Sequence, residues 1–259
     1  MHVHRLGVAP LKGASHPALA SLRLDADGPV GDRVLCALDV ERRTVLRTVA
    51  HPLLLAVEAR LLDADRGVPG GWVLRTPGGE ATGAVELADP VDVDYWGRRV
   101  VVRTLRPSPH AGLLAEHLGR DLRLATPPRG GVVYGGPVSV VTRATVRALA
   151  DAAGLAEAEE TTAARLRATV VLATDGDEPF TEESWGGREL VLGAARIRVR
   201  SPIIRCRVLD RHPRTGADLP RDRGVLRALG ALRERPVAGV DAVVTQPGAV
   251  AVGDDARLV

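Results

Sequence analysis

The chain of 259 residues is short of aromatics, cysteine and lysine. Three Trp, two Tyr and one Phe offer few stacking surfaces, and the net charge of +3 is small and spread out. Both features argue against a nucleic-acid partner. Two cysteines, Cys36 and Cys206, are too few for a disulfide framework, and neither sits in a zinc-like cluster. No apolar run approaches the roughly 20 residues a membrane helix needs, so no membrane partner is expected. Met1-His2-Val3-His4-Arg5 has no apolar signal core, and a cytoplasmic location is expected. Lysine is the sharpest shortage, with Lys12 set against 34 arginines. A GC-rich genome accounts for an Arg-, Ala- and Gly-rich chain without any function, but a single retained lysine invites inspection.

What remains is an ordinary globular composition, 45% hydrophobic and 26% charged, long enough for one or two domains. Alternation and β-branched content predict strands at 34–39, 72–75, 100–104, 122–125, 168–172 and 195–200. Turn signals recur between them, including Asp27-Gly28-Pro29, Arg129-Gly130-Gly131 and Gly186-Gly187. Helical spacing predicts helices at 113–118, 144–153 and 224–233, the second with Thr142 as its cap. The fold class is therefore β-rich α+β, with an all-β first half, residues 1–118, packed on a β-dominated second half, residues 119–259.

Three stretches carry candidate chemistry. Ser201-Pro202-Ile203-Ile204-Arg205-Cys206-Arg207-Val208 reads as a strand after a proline, with Ile204, Cys206 and Val208 on one face. The flanking arginines favour a thiolate, although an arbitrary cysteine is as readily a small core hydrophobe, the reading that suits Cys36. Arg165-Leu166-Arg167-Ala168-Thr169, read as a strand, puts two guanidiniums and a hydroxyl on one ladder able to hold an anion. The plain alternative is a solvent-facing strand of an Arg-rich protein. Lys12-Gly13 at the end of the first strand, and Gly28 to Arg33, would add charge and tight turns near a ligand.

Taken together these segments resemble the MOSC-domain family with its N-terminal β-barrel domain, as in mitochondrial amidoxime-reducing component and its bacterial relatives. The resemblance rests on Pro10-Leu11-Lys12, Gly31-Asp32-Arg33 and His51-Pro52 in the first half. In the second half it rests on Arg165-Leu166-Arg167, Glu183-Ser184-Trp185, Arg205-Cys206, Asp210 with Thr215-Gly216, the helix at 224–233, and Pro247-Gly248 with Val252-Gly253-Asp254. It implies an N-terminal barrel packed on a C-terminal MOSC β-barrel.

It also implies a molybdenum cofactor (Mo-molybdopterin), with Cys206 as the thiolate ligand of the metal. Lys12, Arg33, Thr142, Arg165, Arg167 and Arg205 stand at the family's cofactor-contacting positions, as do Gly13, Thr169 and Ile204, where the residue type differs. The sequence departs from the family pattern at Gly13, at Ala168-Thr169 and at Ile203-Ile204, and Arg47-Thr48-Val49 replaces a Thr-Gln-Arg stretch. The activity implied is reduction of N-oxygenated or related small molecules, with electrons from a separate flavin or iron–sulfur protein. Asp210 and Glu183 are candidate acids, each more readily read as structural. Two other functions fit the same residues: a sulfur carrier or metal-free enzyme using Cys206 as persulfide or nucleophile, and a non-catalytic cofactor-binding module.

Overall fold

The predicted alternation becomes two main β-systems that exchange strands, with two three-stranded sheets beside them, one of which contains the predicted strand at 72–75 within Gly71–Thr76. The computed structural model describes residues 1–62, 70–156 and 159–259. Its larger sheet has eight strands in the order Ala256–Leu258, Glu189–Leu192, Ala195–Ile204, Val237–Gln246, Val138–Thr142, Val170–Ala173, His2–Gly7 and Ala18–Leu19. The sheet rolls up until its ends meet. Val3 N donates to Asp254 O at 2.9 Å, and Ala256 N donates to Met1 O at 3.0 Å.

Period-2 alternation then divides each central strand between two cores. Val138, Val140, Val170 and Leu172 point into the roll, whereas Val141 and Val171 point outward under helices; in Val237–Gln246 the left-handed Gly239 breaks the alternation, so Ala238 faces the helices and Val240 the roll. Both faces are buried, which is why these strands read as unbroken apolar runs rather than as polar–apolar alternation.

The second system is a closed five-stranded barrel made of Leu87–Tyr95, Arg98–Leu105, Arg123–Thr126, Cys36–Asp39 and Thr44–Val45. Cys36 is fully buried in its core beside Tyr95 and Val102. Strand pairing crosses the expected boundary at 118/119 in both directions. His2–Gly7 pairs with Val170–Ala173 of the second half, and Arg123–Thr126 pairs with Cys36–Asp39 of the first.

Four α-helices are present among the described residues: α1 (Pro109–Leu118), α2 (Arg143–Ala152), α3 (Glu159–Leu166) and α4 (Val225–Leu232). The predicted helices correspond to α1, α2 and α4. Thr142 caps α2 as expected, accepting from Thr145 N at 3.3 Å.

α3 overturns a prediction. Arg165 and Leu166 form its last turn, and Arg167 is left-handed at φ +52 before the extended chain resumes. Arg165, Arg167 and Thr169 therefore share no strand ladder. The apparent alternation was the i, i+3 burial of Ala163 and Leu166 followed by buried Ala168 and Val170.

The strand predicted through 201–208 is also shorter, ending at Ile204. Ile204 pairs with Val237, where the partner strand begins, so no ladder lies beyond it. Cys206 instead opens a 3₁₀ turn, Arg207–Asp210. No helix among the described residues is long and apolar enough to cross a membrane.

Candidate functional site

Three chain segments meet at a cavity of about 230 Å³ between the two β-systems. The first is the loop after His2–Gly7. Lys12 N donates to Leu35 O at 2.7 Å, and Leu35 N donates to Pro10 O at 3.0 Å, which aligns this loop beside the barrel. Gly13 follows at φ +91, a backbone geometry that favours glycine. Asp32 fixes the neighbouring turn. Its Oδ1 accepts from Ala9 N at 2.9 Å, and its Oδ2 accepts from Arg33 Nη1 at 2.5 Å.

The second segment is the end of α3. Arg165 Nη1 donates to Arg211 O at 2.5 Å, and Arg167 Nη1 donates to Ala14 O at 2.6 Å. The third is the end of the strand Ala195–Ile204. Arg205 Nε donates to Ala238 O at 2.7 Å and its Nη1 donates to Leu166 O at 2.9 Å. Its Nη2 is buried without a hydrogen-bond partner. The Cys206 thiol beside it is exposed.

The cavity therefore gathers Lys12, Arg33, Arg47, Arg165, Arg167 and Arg205, with no carboxylate among its described lining residues. Asp32 answers Arg33 from behind, and most of the remaining guanidinium contacts go to neutral carbonyls. Lys12 is in no ion pair among the described residues; its ammonium lies 5.3 Å from the centre of the Tyr95 ring. Burial first, then Arg33 and Arg167, hold its pKa well below the usual amine range. Burial also lowers Arg167 and Arg205 to about 10. An unbalanced, desolvated positive cluster of this kind is a ready site for an anion.

Seven of the expected residues line this cavity: Lys12, Arg33, Arg165, Arg167, Ile204, Arg205 and Cys206. Gly13, Thr142 and Thr169 lie outside the lining. Thr169 instead positions Ser139, which does line the cavity: Ser139 N donates to Thr169 Oγ1 at 3.2 Å, and Thr169 N donates to Ser139 Oγ at 3.0 Å. Thr142 is fully buried and donates to Glu182 Oε2 at 2.9 Å. Glu182, also fully buried, takes a second bond from Thr145 Oγ1 at 3.0 Å, and its Oε1 has no partner.

Neither candidate acid lines the cavity. Asp210 accepts from Leu226 N at 2.9 Å in the first turn of α4, and Glu183 pairs with Arg233 at 2.5 Å.

The sequence reading missed the mouth of the cavity. Trp96 and Tyr134, two of the six Phe, Trp and Tyr residues in the chain, are exposed there beside Arg47, and a third, Tyr95, lines the cavity from the barrel core. Trp96 and Gly97 form a two-residue hairpin turn with φ +57 and +78. Such turns favour Asn or Gly at the first position, so a tryptophan there carries about 1–2 kcal/mol of backbone strain.

A larger groove of about 630 Å³ runs between Leu22 and Leu61. Its lining is mostly apolar and holds no thiol, so the chemistry is assigned to the smaller cavity.

The donor set can be tested against a metal. Among the described residues no cluster of three or more His, Cys, Asp or Glu is placed to hold one. A lone thiolate holds a metal when the other ligands arrive with it, as they do on a dithiolene cofactor with an anionic tail. An exposed thiol within an acid-free basic pocket fits such a group.

Comparison with known proteins follows the same line. The family model for the MOSC domain matches residues 116–257. Among solved structures, the chain is similar to the YuaD protein from Bacillus subtilis at 12% identity, over 99% of this chain and 93% of that one, with a TM-score of 0.48. It is also similar to YiiM from Geobacillus stearothermophilus at 16% identity, over 68% of this chain and 73% of that one, with a TM-score of 0.36. No curated protein matches it.

Proposed function

The chain belongs to the MOSC-domain family, and on that premise we propose that the cavity holds a molybdenum cofactor and that the protein reduces N-oxygenated or related small molecules. The observation that carries this reading is the six-cation, acid-free lining around the exposed Cys206 thiol. Lys12, Arg33 and Arg167 would hold the anionic tail, and Cys206 would supply a thiolate to the metal. Arg205, anchored on Ala238 O and Leu166 O, keeps positive charge beside that thiol. When bound, the cofactor supplies two-electron redox chemistry and exchange of an oxygen atom. The protein binds, orients and partly desolvates the reactants. Electrons would come from a separate flavin or iron–sulfur protein.

The test is elemental analysis, with fluorescence of the oxidised pterin, on protein made in a cofactor-competent host. Molybdenum and pterin are expected in equal amounts, with the metal lost in Cys206→Ala. Protein without molybdenum overturns the proposal. A labile sulfur adduct on Cys206 in such protein would make it a sulfur carrier. Bound cofactor with no reduction of any N-hydroxylated substrate would make it a binding module.

A further inference from the structure

The mouth of the cavity has chemistry of its own. Trp96 is 48% exposed and Tyr134 is 58% exposed, with ring centres 5.8 Å apart and planes inclined at 52°. The Arg47 guanidinium carbon lies 4.2 Å from the centre of the Trp96 ring. Arg98 Nη2 donates to Val133 O at 3.0 Å, tying the Trp96 hairpin to the loop that bears Tyr134. The two rings are thus held open to solvent and close together, in a chain with only six Phe, Trp and Tyr residues.

Arg47 is in no ion pair among the described residues. A guanidinium held over an aromatic ring by its charge still has N–H donors to offer a planar, two-point acceptor. Trp96 also occupies a left-handed position that Asn or Gly would take without strain, so the turn itself gives no reason for an aromatic ring there.

We propose that Arg47, Trp96 and Tyr134 form a recognition subsite for a planar aromatic acid, whose carboxylate Arg47 takes and whose ring packs against Trp96 and Tyr134. This names a substrate class for the site proposed above and rests on that reading. The ring of the cofactor itself has related chemistry, and the test separates the two.

Benzoate and cyclohexanecarboxylate share charge and approximate size, but only benzoate has a π face. Their affinities are measured by titration calorimetry and tryptophan emission, on protein whose molybdenum and pterin contents are known. Trp72 and Trp185 are buried, so Trp96 is the exposed reporter.

Benzoate is expected to bind about five- to tenfold more tightly than the saturated acid. Trp96→Asn, which the left-handed backbone accepts, is expected to bring the ratio to about one, and Tyr134→Leu to reduce it. Arg47→Gln should weaken both acids alike.

Equal affinities in the parent protein, no benzoate binding, or a ratio that survives Trp96→Asn overturns the subsite. Loss of pterin from Trp96→Asn assigns the rings to the cofactor and also overturns it. Metal-free protein that keeps the aromatic preference retains the subsite and sinks the molybdenum reading alone.

Discussion

Arg205 donates from Nη1 to the Leu166 carbonyl at 2.9 Å, joining the residue before the thiol to the residue before Arg167. Leu166 ends α3, where backbone carbonyls have no partner within the helix, so one side chain both caps the helix and assembles the site.

Arg205→Lys is the direct test of that joint. An ammonium cannot reach Ala238 O and Leu166 O together as the planar fork does. We expect a loss of about 2 kcal/mol in urea unfolding, from one buried carbonyl left unpaired, together with reduced pterin content. Unchanged stability would show that the fork is dispensable.

Lys12 gives a pH signature. Its folded-state pKa lies below its unfolded value, so between the two values the folded protein binds fewer protons than the unfolded chain. Stability therefore rises with pH across that window, and Lys12→Met should flatten the slope. A slope that survives the substitution would move its origin elsewhere. Lys12→Arg is expected to lower retained pterin more than a control exchange at the exposed Arg99, because a wide guanidinium must enter space shaped for a point charge.

Glu182 works in the opposite sense. Burial raises its pKa, so the folded state keeps a proton that the unfolded chain has already lost. Its contribution is most favourable below the unfolded carboxyl pKa and falls as pH rises through the folded value. Glu182→Gln has no such titration and should gain stability relative to the parent between acid and neutral pH. Unfolding midpoints over a pH series decide this, and parallel curves would refute it.

The two thiols should separate cleanly. Cys36 is fully buried, and burial pushes its pKa up to about 12, whereas Cys206 is exposed. Iodoacetamide is expected to modify Cys206 alone in the native protein and both cysteines in urea, read by mass spectrometry. Native labelling of Cys36 would mean that the barrel opens readily.

Much of this fold was legible because its signals are local. Val146 and Leu149 at helical spacing behind Thr142 announced α2, and β-branched runs announced Val170–Ala173 and much of Ala195–Ile204, but not their neighbours Val138–Thr142 and Val237–Gln246. The end of α3 was misread because a left-handed Arg167 lets a helix pass into extended chain with no proline or glycine to mark the change. Lys12, Arg33, Arg167 and Cys206 were found through ordered motifs, and the cavity gathers them. Trp96 and Tyr134 belong to no such motif. They lie on separate loops that the fold brings together, with Arg98 bonding one to the other.

The strand exchange bears on how the chain is made. During synthesis His2–Gly7 precedes the other strands described here; Ala18–Leu19 can pair with one of its edges at once, yet Val170–Ala173, the partner of its other edge, follows more than 150 residues later. The five-stranded barrel can close once Arg123–Thr126 has emerged, while the earliest strand still waits with an unpaired edge. Vectorial folding thus completes the middle of the molecule before its beginning, and the cavity forms only when Cys206 arrives.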